Sequence, residues 1–165
     1  MTLSDKIALI ALIVSLMALL QATFFWRRSF RPIVTAMVKT VSSGNVAIVY
    51  NLTVQNAGTI PARNISLHIH DSRKLEDALN GATAHHRRLF LKCFEEKTII
   101  PILQNGAEIS CSFGFTNLGG GGFWKHHARI PIWVRYEGWF GKVYLEEQEI
   151  IIADSTSFTG ASWKP

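Results

Sequence analysis

Cysteine is scarce in this sequence: Cys93 and Cys111 are the two among 165 residues. That excludes a fold stapled by several disulfides. Their spacing matches neither a zinc-ligand pattern nor a Cys-x-x-Cys redox pair. It is also short for the bridge that joins the two sheets of an antibody-type domain. Two free, mostly buried thiols are expected in a reducing compartment, and a disulfide if the domain faces outward. Catalytic motifs are missing as well. There is no Gly-x-Ser-x-Gly, no loop ending in Gly-Lys-Ser/Thr, and neither cysteine carries a catalytic signature. Glu95-Glu96 and Glu146-Glu147 with Glu149 read as solvent faces, and nothing sets two carboxylates in opposed environments. His68 and His70 share a strand face, but a bare His-x-His is a weak metal signal. The expectation is a non-enzyme with no catalytic residue, metal ligand or cofactor. Internal repeats and a second domain are absent too.

Charge is missing from Ile7 to Trp26, IALIALIVSLMALLQATFFW. Twenty residues at ~1.5 Å each cover about 30 Å, the hydrocarbon thickness of a bilayer. Trp26, after Phe24 and Phe25, sits where an interfacial aromatic belt belongs. A cleavable signal would need a shorter run and a small-x-small exit, whereas here Trp26 runs straight into Arg27 and Arg28. A retained transmembrane helix over 7–26 is therefore predicted, within an anchor region 1–31. Arg27, Arg28 and Arg31 follow the helix, and Lys6 beside Asp5 precedes it. The excess of positive charge after the helix places the remainder in the cytoplasm of a single-pass inner-membrane protein. Ala11, Ser15 and Ala18 form a small-residue stripe and Gln21 is an amide in an apolar helix, so a homo-oligomer is expected.

The rest, roughly 130 residues, suffices for one domain with its own core. Alternation dominates it. Strands are predicted at Ile33–Val41, Val46–Gln55, Asn64–His70, Thr98–Leu103, Ala107–Phe115, Arg129–Glu137 and Lys142–Ile152. In the second, Val46, Ile48, Tyr50, Leu52 and Val54 share a face; in the fifth, Ile109, Cys111, Phe113 and Phe115 do. Turns are expected at Ser42–Asn45, Asn56–Gly58, Gln104–Gly106 and Gly138–Gly141, and a flexible loop at Asn117–Gly122. Asp71–Asn80 reads as a short helix ended by Gly81, and Ala82–Lys97 fits no simple pattern. The fold class is mainly β: an antiparallel sandwich of about seven strands over 32–154, then a loose tail over 155–165.

The segment Leu52–Leu67, LTVQNAGTIPARNISL, resembles a pattern of bacterial immunoglobulin-like domains, where a strand runs into Asn-x-Gly, then Pro-Ala, then Asn and a new strand. Those positions are Asn56, Gly58, Pro61, Ala62 and Asn64. Gly58 is expected to take a positive φ, Pro61 to stiffen the turn, and both asparagines to bond the loop backbone. The late hairpin VRYEGWFGKVYLEE also looks like the last strand pair of such domains. The resemblance implies a sandwich with an adhesive or binding role and no particular chemistry.

The formal net charge of +5 permits an anionic partner. His85, His86, Arg87 and Arg88 form one basic set; Trp124, Lys125, His126, His127 and Arg129 form another. Cations beside aromatic rings suit a nucleotide or other anionic ligand, and these nine residues are the candidate binding set. Trp139 and Phe140 at a hairpin tip are candidates for a protein-partner surface. The functional expectation is a membrane-anchored sensor, effector or binding module acting through oligomerised helices. In layout it is similar to small membrane effectors of bacterial antiphage defence. The alternative is a scaffolding subunit of a membrane or envelope complex.

Overall fold

Apolar side chains on every side leave a helix no aqueous face, and the N-terminal stretch forms such a helix. In the computed structural model, which describes residues 3–43, 46–117 and 121–153 and all their side chains except those of Arg28 and Phe140, α1 spans Leu3–Ser29. Its Leu3–Arg27 portion is long and apolar enough to cross a bilayer once. None of its described side chains is covered by protein. In water that exposure would be heavily unfavourable; in hydrocarbon it is neutral. The hydroxyls of Ser15 and Thr23 donate to the carbonyls of Ala11 (2.9 Å) and Leu20 (2.8 Å), as polar groups in an apolar solvent must.

Residues from Pro32 onward form a separate unit. Its strands are β1 (Val34–Ser43), β2 (Ala47–Asn56), β3 (Ala62–Ile69), β4 (Ile100–Leu103), β5 (Glu108–Asn117), β6 (Arg129–Glu137) and β7 (Val143–Ile151). They make two antiparallel sheets, one ordered β1-β2-β5 and the other β4-β3-β6-β7, packed as a sandwich. Alternation does the sorting. Tyr50, Leu52 and Val54 of β2 face Ile65 and Leu67 of β3 and Ile130, Ile132 and Val134 of β6 in one buried core. Each fully buried aliphatic side chain contributes about 1.5–3 kcal/mol. Val46, expected on the inner face, lies before β2 and is 75% exposed.

Two helices occupy the connection from β3 to β4. Asp71 caps α2 (Ser72–Ala78), its carboxylate accepting from the amides of Arg73 and Lys74. Thr83 caps α3 (Ala84–Phe90) by accepting from the His86 amide. A 3-10 turn, Lys92–Phe94, follows. The basic stretch that fitted no pattern is thus helical, fixed by its cap and by Phe90, which packs on Phe123 at 5.0 Å between ring centroids.

The corner between β2 and β3 is built on Asn56. Its side chain is fully buried, accepts from the Gly58 and Ile33 amides, and donates to the carbonyls of Ile60 and Leu103. The positive φ of this corner falls on Asn64 (48°) rather than on Gly58. Asn64 tolerates that backbone because its amide reaches Glu137 at 2.9 Å. Residues 44–45 of the first predicted turn, 118–120 of the glycine loop and the tail 155–165 lie outside the described residues. At the near end of that loop, Gly122 has φ 117° and lies so close to the Thr116–Asn117 backbone that a Cβ would meet it at 2.9 Å.

Along one seam of the sandwich, β1 and β7 lie side by side. There Gln148 of β7 accepts from the Ala36 amide (2.9 Å) and donates to the Val34 carbonyl (2.6 Å), so one side chain links the two sheets.

Candidate functional site

The opposite seam, between the edge strands β4 and β5, is different. Ile109 and Cys111 share the inward phase of β5 with Phe113, yet Ile109 is 47% exposed and Cys111 is also exposed, while Phe113 is buried. The edges of the sheets part here, and an apolar cavity of 390 Å³ enters the sandwich. Leu52, Val54, Ile65 and Leu67 form its floor; Leu89, Ile99 and Ile109 stand at its mouth. The volume falls in the range of small-ligand sites. Lys92 lines it too, and no carboxylate does.

The two cysteines meet at this mouth. Cys93, in the 3-10 turn, donates to the Phe90 carbonyl at 3.7 Å, and the two thiols influence each other's ionisation. Cys111 and burial push the Cys93 thiol up, while Cys93 lowers Cys111. Cys93 is half-buried; Cys111, expected to be mostly buried, is exposed because the seam is open.

The basic residues singled out from sequence do not converge on one pocket. Arg87 makes two 2.6 Å hydrogen bonds to Glu76 of α2, which holds that carboxylate below its usual range. His86 is half-buried among Phe90, Phe115 and Phe123. His85 and Arg88 are exposed on α3. The second set lines a separate 260 Å³ groove in which Lys125, His126, His127 and Arg129 meet Lys74 and Asp77. Arg129 pairs with Glu149 at 2.9 Å, and Asp77 would repel an anion entering there. Trp124 is corrected from ligand-facing to core: it is fully buried, stacks near Phe113 and Phe123, and its indole N–H donates to the Phe113 carbonyl. A tryptophan with its one donor satisfied inside the core has nothing left to offer a ligand.

His68 and His70 are engaged locally, with Ser66 at 3.0 Å and Glu147 at 3.0 Å respectively. Trp139 is 48% exposed and lines a 510 Å³ groove with Pro61, Arg63, Asn64 and Glu137; the side chain of its neighbour Phe140 lies outside those described. On α1, Ala11, Ala18, Gln21, Trp26 and Arg27 are all exposed, and the Trp26 and Phe30 rings lie 5.5 Å apart. Arg28 belongs to the same helix, its side chain outside those described.

Sequence phase alone could not reveal the cleft. It assigned Ile109 and Cys111 correctly to one strand face, but β4 and β5, joined by the short turn 104–107, go to different sheets, and the gap that opens between them beyond that turn is a property of sheet packing rather than of phase. The available signal was an apolar strand face flanked by Ser110 and Ser112 and followed by a glycine, Gly114, at a register shift between β2 and β5. No curated protein matches the chain. Residues 2–156 match the family model described as a domain of unknown function (DUF8453), and the chain belongs to that family.

Proposed function

We propose that this protein is a membrane-anchored, non-enzymatic binding module whose sandwich takes a hydrocarbon chain with an anionic head group into the cleft between β4 and β5. The cleft carries the reading. Its lining is aliphatic, its mouth holds Lys92 with no carboxylate, and 390 Å³ accommodates about a dozen groups of ~30 Å³ each, the volume of a water or methylene. The domain lies on the cytoplasmic side of an inner membrane, as Arg27 and Arg28 at the end of α1 and Arg31 just beyond it favour. The strand order supports an immunoglobulin-like assignment: β1, β2 and β5 stand as the A, B and E strands of that fold, and β3, β6 and β7 as C, F and G. Association of α1 between copies is supported by Gln21, whose amide has no partner within the chain among the described residues.

The test uses full-length protein in lipid nanodiscs and a photoactivatable fatty acid. Crosslinks are expected at Leu89, Ile99 and Ile109, reduced by excess decanoate. Ile99→Trp, which fills the mouth from an exposed position, should remove at least nine-tenths of them. Crosslinks confined to α1 would overturn the reading.

A second reading, a scaffolding subunit, is favoured by the half-exposed Trp139 in its groove. It expects one stoichiometric protein partner in a pull-down, lost in Trp139→Ala.

A further inference from the structure

We propose that Cys93 and Cys111 form a dithiol–disulfide switch at the mouth of the cleft, oxidised by small-molecule disulfides of the glutathione class. The observations are geometric and independent of what the cleft holds. Both residues line one cavity, at the meeting of the 3-10 turn and the edge strand β5. They come from segments otherwise joined only through packing: the 3-10 turn after α3, and the free edge strand β5. The neighbouring rings of Phe94 and Phe113 pack at 6.0 Å and hold the two segments face to face. Cys111 is open to solvent while Cys93 sits behind it.

That asymmetry assigns the roles. Cys111, its pKa lowered by Cys93 and with Lys92 lining the same mouth, supplies the attacking thiolate. Cys93, whose thiol is held protonated by Cys111 and by burial, is the resolving partner. The Cys111 thiolate attacks one sulfur of oxidised glutathione, forming a mixed disulfide and releasing one glutathione thiolate. Cys93 then gives its proton to water and attacks the Cys111 sulfur, and the second glutathione thiolate leaves. The protein loses two hydrogens, and one oxidised glutathione becomes two reduced ones. The bond fastens the 3-10 turn to β5 and narrows the cleft.

Full-length protein in nanodiscs would be equilibrated across a series of reduced and oxidised glutathione, quenched by alkylation and read by intact mass and peptide mapping. Wild type is expected to lose both alkylatable thiols together, with a Cys93–Cys111 cross-linked peptide. C93S is expected to stop at one glutathionyl group on Cys111, and C111S to keep Cys93 unmodified over the same interval. Stable glutathione adducts on wild type without the internal bond, or loss of thiols only into cross-linked dimers, would overturn the proposal. Loss of fatty-acid crosslinking would leave it untouched, since thiol count and mass do not depend on the ligand.

Discussion

Asn56 satisfies four backbone groups with one side chain, and no other residue type of its size offers two donors and two acceptor sites in one plane. Removing it leaves buried amides and carbonyls unpaired at about 1–3 kcal/mol each, partly recovered by relaxation. Asn56→Ala is therefore expected to lower stability by about 3 kcal/mol, measured by urea unfolding of the full chain. The role of Asn56 was legible in the Asn-x-Gly spacing; the left-handed residue was not, because Asn64 as well as glycine can occupy that region. Glu76 and Arg87 make a different residue-scale argument. Pairing holds the Glu76 carboxylate below its ordinary 4.5. The contribution of the pair is present above that ordinary value and lost as pH falls through the lower folded one. Protection of the α2 and α3 amides, read as exchange relative to the intrinsic rate at each pH, should fall below pH 4.5 in wild type, and Arg87→Ala should show the lower protection already at neutral pH. A charged residue's partner is invisible in sequence when, as here, the two lie on different helices, so Arg87 looked available to a ligand.

Elements were readable wherever one side of them is buried. β2, β3 and β6 alternate because one face meets the core, and α2 carries its own capping carboxylate. β5 alternates equally well, but half of its inward face lines a cleft. Periodicity reports which side chains point together, and it cannot say whether a second sheet covers them. Likewise α3 eluded pattern reading because a seven-residue helix with histidines and arginines has no long apolar stripe; buried Phe90, with half-buried His86 beside it, fastens it to the core. For α1 the relevant solvent is lipid. An amide facing hydrocarbon gains ~0.6–2 kcal/mol from a partner on a second helix. Gln21→Leu is expected to weaken self-association about three- to thirtyfold, measured by energy transfer between labelled copies in nanodiscs. Equal association in the variant would leave the small-residue stripe, or no contact at all, as the explanation.

At the scale of the whole molecule, sidedness decides which chemistry the domain meets. Exposed Cys111 reports it directly. With the sandwich in the cytoplasm, an impermeant maleimide should leave Cys111 unlabelled in intact cells and label it after lysis; labelling of intact cells would place the domain outside. The same exposure leaves the thiol pair open to whichever redox buffer surrounds it.

The two seams of the sandwich also give it the layout of a book. Gln148 binds the spine, where β1 and β7 are sewn together; the fore-edge is fastened at one corner, where β4 turns into β5 over 104–107 and the Asn56 amide donates to the Leu103 carbonyl, and parts beyond it. A volume bound at the spine and at one corner of the fore-edge leaves a slot, closed at one end by the turn 104–107 and rimmed by Leu89, Ile99 and Ile109.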